Sequence, residues 1–485
     1  MPSPIQPPYG LALDRGAAVP VHRQVYQWVR DAVGSGTLRA GERLPSARGL
    51  AAQLGVARGT IDAAYALLIG EGYVVTRGPA GSIISPHLAA AALPGRAPRP
   101  KPPRSAGAAP SSDLPLFRLG VPALDAFPRK LWCRLAAHEA RLLTRAAMSY
   151  PDPAGHRPLR EAIAAYLAVS RGIVCAPEQI IVTAGYQGAL TLIARLLLRP
   201  GDRVWLEDPG YFVSRQALAL AGADIVAVGV DAEGLCVGEG EMLAPDARLA
   251  VVTPSHQSPL GMALSLPRRL ALLAWARAAG GWIVEDDYDS EYRYSGPPSP
   301  ALKSLDAHDR VLYAGSFSKV LMPGLRLGYL VVPEAQVAAF ADASRLSDGG
   351  QPVLPQAVVA RFMTEGHFVR HIRRMRALYA HRRAALASAL VAEFGEQLRI
   401  ELQAGGMHLI ARLPIGADDV ALSTSANAAG IAVEPLSPAA VAHSCGPGFV
   451  LGFTNVPVEA AAGAARRLRK AIPVLPRVDP FRPEA

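Results

Sequence analysis

The chain has 485 residues, of which 50% are hydrophobic, and its 50 basic and 40 acidic side chains give a formal net charge of +10. This length predicts two or three domains, and the apolar half is enough for a large buried core. The sequence shows no run of 18 or more apolar residues, no basic segment before an apolar one at its start and no C-x-x-C pair among its four cysteines. We therefore predict no membrane span, no secretory signal and no zinc site.

The first 85 residues predict three short helices and a β-hairpin. Apolar residues at helical spacing, with Ser46 placed as a cap, indicate helices over 21–33, 46–54 and 57–68 and a hairpin over 72–84. Two short helices joined by a tight turn at Gly55 form a helix-turn-helix, and the hairpin that follows forms a wing. In such a domain the third helix enters the major groove of DNA.

Basic and hydroxyl side chains lie at the starts of the second and third helices. Arg43, Ser46 and Arg48 suit DNA phosphates, whereas Arg58 and Thr60 would face bases or phosphates. The alternative is a three-helix bundle with solvated arginines, because the block holds only eight arginines against five acidic residues.

Several spaced motifs of this block closely resemble the DNA-binding domain of the GntR family of bacterial regulators. The similarity covers about 70 residues and is carried by 41–48, 50–51, 54–60 and 71–73. It implies double-stranded operator DNA as a partner, contacted by Arg43, Ser46, Arg48, Arg58, Thr60 and Gly81. Gly59 departs from the family, which often has a polar side chain there, and leaves the base contacts of the third helix open.

Residues 86–115 are rich in Pro, Ala and Ser. Such a segment buries too little apolar surface to fold, so we expect an extended, semi-stiff tether. As an alternative role, its positive charges could lie along DNA and add affinity that depends on salt but not on base sequence. These charges are Arg96, Arg99, Lys101 and Arg104.

The block from about 116 to 475 alternates apolar runs with helical patterns. Strands are predicted over 180–183, 204–206, 225–228, 249–253, 282–284, 311–314 and 327–332. Continuous apolar strands separated by helices predict an α/β fold with a mostly parallel or mixed sheet covered on both faces. Sites in such sheets form at the carboxyl ends of the strands.

Five polar clusters follow these strands, and they span 183–187, 207–211, 253–261, 285–291 and 314–329. In the first, Gly185, Tyr186 and Gln187 open a helix whose free N–H groups favour an anion. The second presents Tyr211 on a Pro-Gly turn. In the third, His256 has no metal-ligand partners at suitable spacing, so a hydrogen-bonding role is favoured. Each of these clusters alone is also consistent with an ordinary surface turn.

The fourth cluster concentrates carboxylates after an apolar strand. It lacks the central glycine of a calcium loop. A carboxylate at a strand end, such as Asp286, could pair with a protonated ring nitrogen, and Tyr288 could donate to a phenolic oxygen. The alternative is a solvated acidic turn.

The fifth cluster centres on Lys319, one of only five lysines. An amine can bond to an aldehyde and a guanidinium cannot, which gives a reason for a lysine in an arginine-rich chain. Ser316, Ser318 and Arg326 around it suit a phosphate dianion. Together the clusters supply an amine, a carboxylate for a pyridinium, a tyrosine for a ring oxygen, an aromatic ring to stack and phosphate donors. That inventory describes a pyridoxal 5′-phosphate site.

The order and spacing of these motifs resemble fold-type I aminotransferases and, in particular, the MocR/GabR subfamily of GntR regulators. The similarity spans most of residues 116–455 and begins with Tyr150-Pro151-Asp152-Pro153-Ala154-Gly155. It implies that Lys319 carries the internal aldimine, Asp286 holds the ring nitrogen and Tyr288 the ring oxygen, with Tyr186 near the phosphate. It also implies a homodimer and a cofactor-binding set of Lys319, Asp286, Tyr288, Tyr211, Gly185, Tyr186, Gln187, His256, Ser316, Ser318 and Arg326.

Two departures from aminotransferases count against efficient transamination. The segment 443–453 offers no arginine for a substrate α-carboxylate, and Ser258 occupies the neighbourhood of an asparagine that aminotransferases carry. Arg345 or the basic helix around Arg370 could replace the arginine, although a solvated face is favoured for that helix. Whether the chain is an enzyme stays open.

We therefore predict a winged helix-turn-helix over 1–85, a flexible linker over 86–115 and an aminotransferase-like unit that binds pyridoxal phosphate over 116–475. The predicted function is a cytoplasmic transcriptional regulator that binds operator DNA and responds to pyridoxal phosphate or an amino compound. One alternative is an aminotransferase with an appended DNA-binding domain, and another is a DNA-binding protein whose second domain has lost its cofactor. The missing arginine slightly favours pyridoxal phosphate as the effector.

Overall fold

A computed structural model of the chain describes residues 11, 13–17, 19–78, 81–88, 114–296 and 300–472. The chain divides into two compact units, Met1–Ser111 and Ser112–Ala485. Most of the predicted linker, 86–115, lies outside the described residues.

In its described residues, the first unit has three helices and a β-hairpin around one apolar core. Its elements are α1 (Val21–Gly34), α2 (Ala47–Leu54), α3 (Arg58–Gly70), β1 (Val74–Thr76) and β2 (Ser82–Ile84). The Ser46 hydroxyl accepts the N–H of Gly49 and caps α2, and Gly55 ends that helix in the left-handed conformation at φ 61°. Ile61 and Leu68 on α3 are fully buried in the core. The predicted order of helices and hairpin is confirmed.

The second unit adds helices on both faces of a sheet. They are α4 (Arg129–Leu142), α5 (Arg157–Ser170), α6 (Gly185–Leu197), α7 (Phe212–Leu220), α8 (Val237–Leu243), α9 (Leu266–Ala279), α10 (Val337–Ser347), α11 (Val353–Thr364), α12 (His367–Phe394), α13 (Asp419–Ala428) and α14 (Ala461–Ala471). The longest of these, α12, has 28 residues and includes the predicted basic helix. Among the described residues, no helix combines the length and the apolar character needed to cross a bilayer.

The strands described in the second unit form two sheets. They are β3 (Ile180–Thr183), β4 (Arg203–Asp208), β5 (Asp224–Asp231), β6 (Gly234–Leu235), β7 (Leu249–Val252), β8 (Trp282–Asp287), β9 (Val311–Ser316), β10 (Gly328–Val331), β11 (Arg399–Glu401), β12 (His408–Arg412), β13 (Glu434–Pro435) and β14 (Gly448–Gly452). The larger sheet has the order β3-β10-β9-β8-β7-β4-β5-β6. From β9 to β5 the neighbours are parallel, and β10 runs antiparallel between β3 and β9. The predicted mostly parallel sheet is confirmed.

The apolar runs explain why this sheet is buried on both faces. Every residue of β3, β7 and β8 is buried, because alternate side chains point into two different layers. Several strands extend past their predicted ends, where the polar residues Asp208, Asp287 and Ser316 still pair with neighbouring strands. Burial of the backbone therefore continues into the polar clusters.

A smaller antiparallel sheet, in the order β11-β12-β14-β13, forms the C-terminal part of the second unit. Its core includes the buried rings of Tyr379, Phe449 and Phe453, which join the sheet to α12. We did not predict this sheet, because its strands span only two to five residues.

The chain enters the second unit along this smaller sheet. The carbonyl of Leu116 accepts the N–H of Ala432, and the carbonyl of Phe117 accepts the N–H of Gly452, at 3.0 Å each. The Phe117 side chain is fully buried. The segment 116–123, which continues past these two pairings, is therefore part of the folded unit.

Candidate cofactor site and DNA-binding surface

The parallel strands bring the predicted clusters to one edge of the larger sheet. A cavity of about 660 Å³ lies there, a volume within the range of cofactor sites. The sequence-predicted residues that line it are Tyr186, Tyr211, Asp286, Tyr288, Ser316 and Lys319. Residues from four separate strand ends therefore meet around one space.

Lys319 follows β9, and its amine donates to the carbonyl oxygen of Gly120 at 3.2 Å. Burial lowers the pKa of the Lys319 amine below its ordinary 10.5, which increases the share of the neutral, nucleophilic form. Gly120 has φ 67°, and a Cβ at this position would lie 2.0 Å from the amine nitrogen. Glycine is therefore required beside the amine.

The three carboxylates that end β8 have different partners. Glu285 accepts two backbone N–H groups at 2.8 Å each, and Asp287 pairs with Arg171 at 2.8 Å. Asp286, between them, lines the cavity, and burial raises its pKa well above 3.8. An ionised Asp286 therefore needs a buried cationic partner, and a protonated pyridine nitrogen is such a group. Among the described residues, no group of His, Cys, Asp and Glu could hold a metal ion.

His256 lies one layer outside the cavity. Its Nδ1 is 2.9 Å from the Tyr288 hydroxyl and 3.2 Å from Asp289 Oδ2. The imidazole is buried, and it is not part of the cavity lining in the described structure. The residue pattern favoured a hydrogen-bonding role for His256, and the family resemblance implied a cofactor-binding one; in the structure its imidazole contacts Tyr288 and Asp289.

The start of α6 lies beside Arg326. The Arg326 guanidinium donates to a backbone carbonyl at 3.2 Å and to Gln187 Oε1 at 3.0 Å, and it lies against Gly185. The N–H of Ser318 donates to Ser316 Oγ at 3.2 Å. Free N–H groups at a helix start, hydroxyls and a guanidinium together suit a phosphate.

The Tyr186 side chain lies beside Ser214 and Tyr211. Its hydroxyl is 2.9 Å from Ser214 Oγ, and its ring centroid is 6.3 Å from that of Tyr211. Burial and then the nearby Asp286 carboxylate raise the pKa of this hydroxyl well above 10.0. That Tyr186 lies near the phosphate stays a prediction, and its backbone N–H at the start of α6 is the group that suits an anion. The first turn of α6 directs the side chain toward β8.

The loop that presents Tyr211 is anchored to the C-terminal part of the unit. Asp208 accepts three backbone N–H groups of residues 441–443 at 2.7 to 2.8 Å. The His443 imidazole lies between Asp208 Oδ2, at 3.1 Å, and Glu239 Oε1, at 2.7 Å. We call these contacts the Asp208–His443 anchor. It fixes one wall of the cavity.

The sequence pattern did not reveal several further residues that line the cavity, among them Gly120, Arg118 and Arg215. Gly120 and Arg118 precede the strand-end clusters, and Arg215 lies on α7, outside the cluster that presents Tyr211. No local motif marks them, so only the tertiary fold identifies them.

The two expected substitutes for a carboxylate-binding arginine have other partners. Arg345 pairs with Asp342 on the surface at 3.2 Å, and Arg370 donates to the carbonyl of Glu365 at 2.9 Å. Val450, on β14, lines the cavity instead. Glu434 of β13, which pairs with Val450 in the smaller sheet, also lines the cavity and adds a carboxylate to this part of the wall.

The predicted DNA contacts of the first unit reach its surface. They are Arg43, Ser46, Arg48, Arg58, Thr60 and Gly81. A Cβ at Gly81 would lie 3.4 Å from the Arg43 guanidinium, so the hairpin and the residues before α2 share one surface. Arg58 at the start of α3 pairs with Asp62 at 3.3 Å, and both side chains are mostly exposed. This pair is therefore weak and leaves Arg58 accessible.

The two units correspond to two known domain families. Residues 21–84 match the family of bacterial regulatory proteins of the gntR type. Residues 120–450 match the family of class I and II aminotransferases. The fold and the sites thus define a DNA-binding unit joined to an aminotransferase-like unit.

Curated relatives have the same arrangement. The chain is 37% identical over 472 residues to the probable rhizopine catabolism regulatory protein MocR of Rhizobium meliloti, with 95% of each chain covered. It is 34% identical to the pyridoxine biosynthesis transcriptional regulator PdxR of Corynebacterium glutamicum, over 91% of this chain and 94% of that protein. The chain therefore belongs to the MocR-type helix-turn-helix transcriptional regulators and to the class I and II aminotransferase family.

Solved aminotransferases resemble the second unit. The kynurenine aminotransferase of Pyrococcus horikoshii, solved with PMP, superposes with a TM-score of 0.67 at 29% identity, over 74% of this chain and 91% of that one. The α-aminoadipate aminotransferase LysN of Thermus thermophilus, complexed with N-(5′-phosphopyridoxyl)-L-leucine, gives 0.67 at 30% identity, over 74% and 92%. The aminotransferase fold is thereby confirmed.

Proposed function

We propose that this chain is a transcriptional regulator that binds operator DNA through its first unit and holds pyridoxal phosphate in its second. One observation carries the cofactor assignment. A single cavity is lined by the Lys319 amine, the buried Asp286 carboxylate and the Tyr288 hydroxyl, with Arg326 at the adjoining helix start. The similar aminotransferases that were solved with PMP and with N-(5′-phosphopyridoxyl)-L-leucine support the same assignment.

Each group of the cavity then has a specific task. Bound pyridoxal phosphate supplies an aldehyde that bonds to primary amines. Lys319 provides the amine, Asp286 accepts a hydrogen bond from the ring nitrogen, and Tyr288 donates to the ring oxygen. Tyr211 packs against the ring. The phosphate is held by Gly185, Gln187, Ser316, Ser318 and Arg326.

Self-association is part of the proposal. Met148 and Tyr150, in the connection between α4 and α5, expose 72% and 94% of their surface, and Leu142 before them exposes 54%. Large apolar side chains exposed together mark contact surfaces. A homodimer would cover them and would present two DNA-binding units to two half-sites.

The effector is either an amino compound or pyridoxal phosphate itself. Val450 forms part of the cavity wall, and the arginines of the lining, Arg118 and Arg215, are not buried. An α-carboxylate deep in this cavity would lack a buried guanidinium. This favours pyridoxal phosphate as the effector and disfavours efficient turnover of amino acids.

We also propose domain boundaries at about 85 and 116, with the linker over 86–115 between the DNA-binding and cofactor-binding units. Operator DNA lies in the bacterial cytoplasm, and we propose that the chain acts there. The family matches, over 21–84 and 120–450, support two functional units on either side of the linker.

An operator footprint of the purified full-length protein, with and without pyridoxal phosphate and amino compounds, tests the proposal. We expect a visible absorption band of protein-bound pyridoxal phosphate, its loss in Lys319→Ala, and an operator footprint that changes with ligand in the unmodified protein only. A protein without the band would rule out the cofactor. A footprint indifferent to all ligands would rule out the sensing role, and steady turnover of an amino donor with a keto acid would favour an enzyme.

A further inference from the structure

Tyr288 and Asp289 share one nitrogen of His256. The Tyr288 hydroxyl lies 2.9 Å from His256 Nδ1, and Asp289 Oδ2 lies 3.2 Å from the same atom. Asp289 is 1% exposed and His256 is 5% exposed. The three side chains therefore form a hydrogen-bonded chain that water does not interrupt.

The other ring nitrogen of His256 indicates where the proton lies. Within the described residues, Nε2 is buried and has no hydrogen-bond partner. Gly261 and Gly406 pack against this edge of the ring, and a Cβ at either would lie 2.9 Å and 2.6 Å from Nε2. Burying an N–H group without an acceptor costs more free energy than burying an unprotonated ring nitrogen without a donor. The proton therefore belongs on Nδ1.

A protonated Nδ1 fixes the role of the Tyr288 oxygen. Nδ1–H donates toward Asp289 Oδ2 and toward the Tyr288 oxygen, so the tyrosine accepts on that side. Burial raises the pKa of Tyr288 well above 10.0, so the hydroxyl keeps its hydrogen. That hydrogen is left to point elsewhere, and Tyr288 lines the cavity.

We propose that His256, fixed by Asp289, is a positioning residue that makes Tyr288 a hydrogen-bond donor toward the cavity. The inference rests on the proposed binding of pyridoxal phosphate, whose ring oxygen is the acceptor that Tyr288 serves. His256 acts through Tyr288 and does not itself touch the cofactor. It is the second layer of the site, comparable to the carboxylates that orient histidines in other active sites.

Two amide substitutions distinguish the role of Nδ1 of His256 from that of Nε2. In His256→Asn the side-chain N–H group falls near the position of Nδ1, whereas in His256→Gln it falls near Nε2. The measurement is the pH midpoint at which the visible absorption of full-length protein loaded with pyridoxal phosphate changes. A hydrogen-bond donor to the ring oxygen stabilises the deprotonated form of the bound cofactor. Loss of this donor therefore moves the pH midpoint upward.

We expect the midpoint to rise by about half to one pH unit in His256→Gln, the size of one lost hydrogen bond. In His256→Asn we expect it to stay near that of the unmodified protein. In Tyr288→Phe it rises as well, and adding His256→Gln to Tyr288→Phe produces no further shift, because His256 acts only through the hydroxyl. Asp286, Asp289 and Glu207, the charged neighbours of Tyr288, are unchanged in all variants.

Equal midpoints in the Asn, Gln and unmodified proteins would overturn the inference, as would shifts that add in the double variant. Thermal unfolding of each variant identifies general destabilisation, which would affect Asn and Gln alike and leave the midpoint in place. An unmodified protein without any visible band would instead overturn the proposed cofactor. The two failures are therefore distinguishable.

Discussion

Lys319 keeps its position because Gly120 has no side chain. Gly120→Ala would place a Cβ 2.0 Å from the amine at φ 67°, so the amine or the segment around residue 120 must move. We expect affinity for pyridoxal phosphate to fall by at least about tenfold, since a displaced amine no longer meets the aldehyde. Titration of the visible band measures this affinity.

Gly280→Ala is the matched control for that change. Gly280 ends α9 at φ 66° with nothing within 4 Å of a built Cβ. Both substitutions carry the strain of a left-handed alanine, on the order of 1 kcal/mol of unfolding free energy. Only Gly120→Ala should also weaken cofactor binding. Equal effects of the two variants on the band would mean that the close contact with Lys319 is unimportant.

The predictability of single residues depended on their distance along the chain from a strand end. Asp286, Tyr288 and Lys319 were identifiable because each belongs to a cluster that directly follows an apolar strand. Gly120 was not, because its contact with Lys319 joins residues 199 positions apart. The role of His256 was predictable only in part, because the sequence indicated that it forms a hydrogen bond but did not identify Tyr288 as its partner.

At the scale of elements, the Asp208–His443 anchor joins β4 and α8 to the segment before β14. Burial alone would lower the pKa of His443, but hydrogen bonds to Asp208 and Glu239 outweigh it and raise that pKa above 6.5. A folded-state pKa above the unfolded value means that the protonated form stabilises the fold. This contribution is complete below about pH 6 and is lost as pH rises through the folded-state pKa.

We therefore expect the melting temperature of the unmodified protein to exceed that of His443→Gln most at about pH 6, with the difference shrinking toward about pH 8. Thermal unfolding across this range measures the difference. The gain is modest because His443 is partly exposed and solvent screens its charges. His381→Gln, at an exposed position of α12, is the control and should show no such trend. A difference independent of pH would exclude a charged His443 in the anchor.

Elements were predictable where one pattern ran long enough. The parallel strands and the helices of the first unit emerged from apolar runs and helical spacing. The smaller sheet did not, because strands of two to five residues carry too few alternations to stand out. Its packing on α12 supplies the information that the local pattern lacks.

At the scale of the whole molecule, the net charge of +10 does not by itself identify the surface that binds DNA. Arg58→Ala should lower operator affinity by roughly tenfold and reduce the slope of log affinity against log salt by about one, as expected for one lost phosphate contact. Binding titrations at several salt concentrations give both quantities. Arg466→Ala, exposed on α14 of the second unit, removes the same charge elsewhere. If both variants lost affinity equally, overall charge and not the surface of α3 would account for binding.

The entry of the chain into the second unit sets a limit on length. Leu116 and Phe117 are fixed by backbone pairing to the smaller sheet, and Gly120 is fixed by the Lys319 amine. Only two residues, Arg118 and Leu119, separate these fixed points. Surface loops usually tolerate an inserted residue, but here an insertion would displace either the pairing or the contact with the amine. Natural or engineered variation in chain length should therefore be absent between 117 and 120.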